Sequence, residues 1–188
     1  MKFCSECGHP VINRIPDGDN RPRHICEQCD LIHYSNPKLV AGCLPIWKEQ
    51  VLLCKRAIEP CYGLWTLPAG FMENQESLEE AALRESQEEA NANLEIESIY
   101  SIISLPHINQ VYVLYKAKLL DLDFYAGSES LEVQLFNEED IPWDSLAFKT
   151  IEKTLKHYYS ERKKGEFTVY NDVINKRNRL GETEDIAR

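Results

Sequence analysis

The sequence predicts an α/β domain behind a small N-terminal module. Three observations carry that expectation. Apolar and alternating runs of strand type are interleaved with two segments of helical period. Residues 1–35 are rich in Cys, Pro, Asp, Asn and Arg, and too poor in aliphatics to close an apolar core alone. A length of 188 residues with 43% hydrophobic content suits one domain with an appendage and argues against global disorder or a fibrous repeat.

The module is explained by its cysteines. Cys4-Ser5-Glu6-Cys7 and Cys26-Glu27-Gln28-Cys29 are two C-x-x-C knuckles with 18 residues between them. Each knuckle brings two sulfurs to one metal, and four thiolates close a tetrahedral zinc site of ribbon type. Zn²⁺ would supply the folding energy that the segment lacks. A closed four-sulfur shell leaves no open position, so the site is read as structural. A redox C-x-x-C would need a knuckle at a helix start beside a strand, which neither has. His9, His24 and His33 are read as polar surface, and Cys43, Cys54 and Cys61 as packed or incidental thiols.

At Asn36-Pro37-Lys38 the composition changes, and the main domain is expected over 36–177. Leu39 to Trp47 and Gln50 to Lys55 read as strands joined by a tight Lys48-Glu49 turn. The Ile-rich run Leu94 to Leu105 and the alternating Val111, Val113, Tyr115 and Ala117 of Gln110 to Leu119 add two more. Helices are predicted at Ser77 to Ala90 and at Ser145 to Lys164, the latter carrying Phe148, Ile151, Leu155 and Tyr158 near helical spacing. The polar tail, 178–188, is expected to fray.

Charge narrows the function. With 21 Lys+Arg against 31 Asp+Glu, the net charge of −10 disfavours extended nucleic-acid binding. A phosphorylated small molecule would need a cation to mediate the meeting, and a divalent metal fits. The seven cysteines, an odd number without a signal peptide, point to a reducing compartment. No apolar run reaches 18 residues, so a membrane span is not expected, and a cytoplasmic location is.

The richest segment runs from Gly70 to Asn91. Ser77 followed by Glu80 makes a capping box, which sets the helix start. Glu85, Glu88 and Glu89 then share one arc of about 120° with Leu78, Ala81 and Ala82. Three carboxylates on the face that carries the small apolar residues repel one another and resist desolvation. Divalent cations resolve that conflict, because Mg²⁺ prefers carboxylate oxygens, substrate phosphates and retained waters.

This segment resembles the Nudix box, G-x5-E-x7-R-E-U-x-E-E-x-G-U with U a bulky aliphatic. Gly70, Glu76, Arg84, Glu85, Glu88 and Glu89 match in register. Asn91 replaces the last Gly, and Ser86 and Ala92 replace aliphatics. Asn tolerates the left-handed conformation at a helix end, so a kept fold with a less apolar anchor is expected. Leu64 to Gly70 looks like the strand and loop leading into the box. Glu129-Ser130-Leu131-Glu132-Val133-Gln134-Leu135-Phe136 looks like the later strand that brings one more glutamate to the metals. The ribbon and the tracts Gly63 to Gly70, Asp144 to Phe148 and Ile174 to Arg177 are similar to plant chloroplast FAD pyrophosphatases and their bacterial relatives. That likeness covers about residues 3 to 177.

The resemblance implies a Nudix α/β/α sandwich around a mixed sheet and hydrolysis of a nucleoside diphosphate linked to another moiety, X. It implies Mg²⁺ or Mn²⁺ held by Glu85, Glu88, Glu89 and the Ala69 carbonyl, with Glu76 supporting the cluster and Arg84 orienting it. The base is Glu129 first and Glu132 second, on a segment of uncertain register. FAD, cleaved to FMN and AMP, and ADP-ribose are the expected substrates, and a homodimer is implied by the family alone. Trp65, Phe71, Tyr112 and Phe136 are open as stacking groups, and Lys55 and Arg56 as phosphate contacts. NADH is the rival within enzymes, demoted because the Gln-Pro-Trp-Pro-Phe-Pro run of zinc-ribbon NADH pyrophosphatases is replaced here by Tyr100-Ser101-Ile102-Ile103-Ser104-Leu105-Pro106-His107. The rival of another class is an inactive nucleotide sensor or a nucleic-acid or protein-binding module, opposed by the intact acidic cluster.

Overall fold

The computed structural model describes residues 1–175, which gather into two units, Met1–Asn36 and the chain from Pro37 onward. The polar tail expected at 178–188, and residues 176 and 177 before it, lie outside the described residues. In the first unit, β1 (Ile12–Arg14), β2 (Arg23–Ile25) and β3 (Ile32–His33) form an antiparallel sheet in the order β1-β2-β3. These strands are two or three residues long, too short for periodicity to announce them. Pro16, Ile25 and two cysteines, Cys4 and Cys26, are all the buried residues the unit has, as its aliphatic-poor composition implied.

The second unit is built on β4 (Lys38–Trp47) and β5 (Gln50–Arg56), a hairpin closed at Lys48, whose φ of 57° is left-handed. β6 (Trp65–Thr66) pairs with β5, and β7 (Ala69–Phe71) pairs with β4. β8 (Leu94–Leu105), β9 (Gln110–Leu119), β10 (Ser130–Phe136) and β11 (Tyr170–Val173) complete a mixed sheet in the order β10-β5-β4-β9-β8-β11. β4 runs parallel to β9 and β11 parallel to β8; the other pairings are antiparallel.

Alternation along the central strands feeds two cores. Ala41, Cys43, Leu52, Cys54, Val113 and Tyr115 pack with Ala81, Ala82 and Ala90 of α1 (Leu78–Ala90). Their neighbours Leu44, Val51, Leu53 and Leu114 pack with Ile151, Leu155, Tyr158 and Tyr159 of α2 (Lys149–Arg162). Because successive side chains on a strand point to opposite faces, the two helices sandwich the sheet. Alanines let α1 sit close: the Cys43 thiol donates to the Ala82 carbonyl at 3.6 Å. Among the described residues no helix is long and apolar enough to cross a membrane.

The second helix corrects the expectation of Ser145 to Lys164. Residues Trp143–Ser145 form a 3-10 turn, and the helix begins only after Phe148. Backbone pairing explains the delay. The Ala147 N–H donates to the Trp65 carbonyl at 2.8 Å, and Trp65 bridges Leu146, so β6 holds 146–148 extended.

Candidate active site

The helix that carries the glutamates is fixed at both ends by its own sequence. At the start, the Ser77 hydroxyl accepts from Glu80 N–H at 3.2 Å, and the Glu80 carboxylate accepts from Ser77 N–H at 2.7 Å. At the end, Asn91 takes the left-handed conformation with φ 49°, and its N–H donates to Gln87 O. Ser86, where an aliphatic was expected, is fully buried and donates to Ala82 O at 2.7 Å, so no polar group is orphaned. The last turn holds no basic residue and carries Glu88 and Glu89, two anions at the negative end of the helix dipole.

Arg84 is the hub on the loop side. Its Nε and Nη2 donate to the two oxygens of Glu76 at 3.0 and 2.8 Å, and its Nη1 donates to Glu85 at 2.8 Å and Glu88 at 3.1 Å. Nη2 also donates to the Phe71 carbonyl, which pins β7 to the helix. The guanidinium, aided by Glu73 N–H, brings the Glu76 carboxyl down to about 2. Gly70 makes room for the pair: a Cβ there would stand 2.2 Å from the Glu85 carboxylate.

Glu89 is different. It is 6% exposed, and burial pushes its carboxyl up to about 8, against the Ala69 N–H that donates to it at 3.2 Å. The charges of Glu85 and Glu129 reinforce the rise. Glu85, half-buried, is also raised, first by desolvation, with Glu88 and Glu129 adding to it. Glu129 therefore lies within electrostatic reach of both inward carboxylates. Glu132 is drawn instead to Lys55 at 3.6 Å. A register shift between Ser130 and Glu132 in the β10–β5 pairing separates the two glutamates. At Ala69 the contact made is by its N–H.

Sequence reasoning undervalued Arg56. It stands at the end of β5, 8% exposed, with Nε donating to the Pro60 carbonyl and the guanidinium 5.2 Å from the Phe148 ring. Its charge reaches Glu89 and Tyr112. No local pattern marks it, because the partners come from residues 60, 89, 112 and 148. Of the four candidate stacking rings, Trp65 and Phe136 are buried and meet edge to face at 4.9 Å, which makes them core. Phe71 is 49% exposed beneath Lys38 Nζ, on a groove of about 580 Å³ whose other walls include Met72, Asn74, Gln75 and Glu76.

In the first unit the four knuckle cysteines converge. The sulfurs of Cys4 and Cys29, Cys7 and Cys26, and Cys7 and Cys29 are 3.7, 3.4 and 3.5 Å apart. A tetrahedral site with metal–sulfur bonds of about 2.3 Å needs sulfurs about 3.8 Å apart, so the set fits a thiolate-bound metal. Burial pushes the Cys26 thiol up, but backbone N–H groups of Cys29 and Gln28 and the Cys7 contact bring it down to about 7. His33, read from sequence as polar surface, is half-buried and contacts Cys4. Among the described residues these cysteines are the one group whose metal-ligating atoms lie mutually within 4.8 Å. The helix carboxylates are more spread, since Glu85 and Glu88 each give an oxygen to Arg84.

Comparison with known proteins agrees with both units. Residues 2–35 match the Nudix N-terminal zinc-ribbon family, and residues 36–160 match the NUDIX domain. The crystal structure of a NUDIX hydrolase from Nitrosomonas europaea is 58% identical, with a TM-score of 0.91 over 94% of this chain and 100% of that one. An ADP-ribose pyrophosphatase of Methanocaldococcus jannaschii is 30% identical over 129 residues, 66% of this chain and 75% of that protein. A NAD-capped RNA hydrolase NudC of Vibrio vulnificus is 26% identical over 86% of this chain, which spans 62% of the relative's length. With the acidic helix, the mixed sheet and the cysteine ribbon all in place, the chain belongs to the Nudix hydrolases, enzymes that cleave phosphoric anhydrides, in the form that carries an N-terminal zinc ribbon.

Proposed function

We propose that this Nudix hydrolase is a pyrophosphohydrolase dependent on Mg²⁺ or Mn²⁺ that cuts the diphosphate of FAD, to FMN and AMP, and of ADP-ribose. One observation carries the proposal: Glu89 is buried beside Glu85 and Glu129 with a single N–H donor and no bonded cation among the contacts described. A carboxylate so placed favours a divalent cation over solvent. Glu85, Glu88, Glu89 and the Ala69 carbonyl would hold it, and when bound it neutralises the charge that builds on the diphosphate as the P–O bond breaks.

The remaining steps fall to the chain itself. Glu129 takes the proton of the attacking water as its oxygen bonds to phosphorus, and the bridging P–O bond breaks to release a nucleoside monophosphate. Arg84, tied to Glu76, Glu85 and Glu88, holds the carboxylates against their mutual repulsion. Arg56 offers a buried positive charge toward the phosphates, and Phe71 offers an open ring to a base or an isoalloxazine. Zn²⁺ on Cys4, Cys7, Cys26 and Cys29 would stabilise the ribbon, a role suited to the reducing cytoplasm. The homodimer implied by the family belongs to the same reading and is checked by sedimentation.

The ADP-ribose activity named for the relative from Methanocaldococcus jannaschii supports the ADP half of the substrate. Likeness to a NAD-capped RNA hydrolase favours a second reading, cleavage of NADH or another NAD-type dinucleotide, which shares that half. The deciding experiment incubates the purified protein and Mg²⁺ with FAD, ADP-ribose and NADH in parallel, beside Glu89→Gln. FMN and AMP from FAD, lost in the variant, establish the reading. Cleavage of ADP-ribose or NADH alone corrects the substrate, and no hydrolysis of the three overturns the proposal.

A further inference from the structure

The segment between β9 and β10 crosses the C-terminal end of α1. The last carbonyls of an α-helix lack partners within it, and here this strap supplies them. Gly127 N–H donates to Glu89 O and Tyr125 N–H to Ala90 O, both at 3.0 Å, while Asn91 Nδ2 donates to the Tyr125 carbonyl at 3.2 Å. The fit leaves no space for a side chain. A Cβ on Gly127 would stand 1.7 Å from the Glu88 carbonyl oxygen and 2.8 Å from its carbon. Gly127 is not among the residues with positive φ, so closeness rather than conformation requires glycine there.

Two residues later comes Glu129. The Ser130 N–H donates back to the Gly127 carbonyl at 3.2 Å, which closes a tight turn with Ser128 and Glu129 at its centre. On the far side, the Glu129 carbonyl accepts from Ala57 N–H at 2.8 Å. The glutamate is thus held between the backbone of α1 and the end of β5. We infer that Gly127 is a positioning residue: its contact with the Glu88–Glu89 backbone sets the distance between Glu129 and the carboxylates of Glu85 and Glu89. The inference rests on the reading of Glu129 as the base.

The test measures kcat, KM and the Mg²⁺ concentration for half-maximal rate with ADP-ribose and FAD. It compares Gly127→Ala, Glu129→Gln and the double variant, with Gly165→Ala, where an added Cβ meets nothing, but a φ of 74° strains it, as control for destabilisation at a glycine away from the site. A displacement of about 1 Å at a reacting group costs up to about 100-fold. Gly127→Ala is accordingly expected to lower kcat by about 10- to 100-fold with KM and metal dependence held. In the Glu129→Gln background it costs less than about 2-fold, since coupled residues are not additive. Multiplying losses in the double variant, or a shift in metal dependence, overturn the inference by showing that the strap acts through the helix carboxylates. Full turnover in Glu129→Gln alone overturns the base assignment first, and this inference with it. Should Gly127→Ala fail to fold, Asn91→Ala removes the side-chain anchor of the strap without adding an atom. It should give the same kcat-only loss at smaller size, and a change confined to KM or to metal dependence overturns the inference.

Discussion

Two buried glutamates, one in the last turn of each helix, make the most instructive contrast in the molecule. Glu89 on α1 is 6% exposed and Glu161 on α2 is 7% exposed, on opposite faces of one sheet. Glu161 is fully supplied. The Tyr100 hydroxyl donates to it at 3.0 Å, the Thr168 hydroxyl at 2.5 Å and the Thr168 N–H at 3.1 and 3.2 Å, while His157 Nε2 lies 3.1 Å away without a hydrogen bond, an ion-pair partner when the ring is protonated. Burial raises its carboxyl, yet these partners together carry it below the usual value. Glu89 has one donor and titrates near 8. Equal burial therefore has opposite electrostatic outcomes, decided by how many donors converge. The satisfied carboxylate holds the fold together, and the unsatisfied one is where the proposed cation would sit.

The contrast can be broken at either end. Glu89→Gln should lower turnover by at least about 100-fold, because even groups that only support metal ligands cost 10- to 100-fold. Above about pH 8 and without added metal, its melting temperature should equal or exceed that of the parent, since there the parent carries a strained buried charge that the amide lacks. A calorimetric loss alongside the kinetic one would show Glu89 to be structural. Glu161→Ala should do the reverse. Tyr100 and Thr168 lose their acceptor, at a cost of about 2–3 kcal/mol in urea unfolding, while kcat stays at the parent value.

Acid titration sharpens the same pair. The folded Glu161 carboxyl sits below its unfolded value near 4.5, so its contribution is complete above that pH and is lost as pH falls through the folded value. Glu161→Gln should flatten that part of the stability curve below pH 4.5, and an unchanged acid limb would refute the assignment. The smallest effect is expected at the end of α1. Asn91→Leu places a branched side chain in the left-handed region at about 1–2 kcal/mol, and wild-type thermal stability in that variant would show the cap to be unimportant.

How much of this the sequence announces depends on the range of the interaction. Ser77 with Glu80, and Asn91, declare the limits of α1 because a cap is made by residues three or four apart. β4, β5, β8 and β9 are likewise visible to within a residue, through runs long enough to show their faces. What stays hidden is decided by distant partners. Leu146 to Phe148 look helical until Trp65 pairs with them, and β11 has four residues and gains its identity only beside β8. Glu129 and Glu132 are indistinguishable until the register against β5 is known, and the sandwich buries an Arg56 that reads locally as surface.

The pairing of β4 with β9 has a consequence in time. Lys38 faces Gln110, so about 70 residues of chain must be made before the centre of the sheet can form. Until α2 follows, the hairpin of β4 and β5 stands with Leu44, Val51 and Leu53 uncovered, a sticky face on the nascent chain. The step that completes the cover is thus synthesis of α2, and slowing translation before Lys149 should lengthen the interval in which this protein can aggregate.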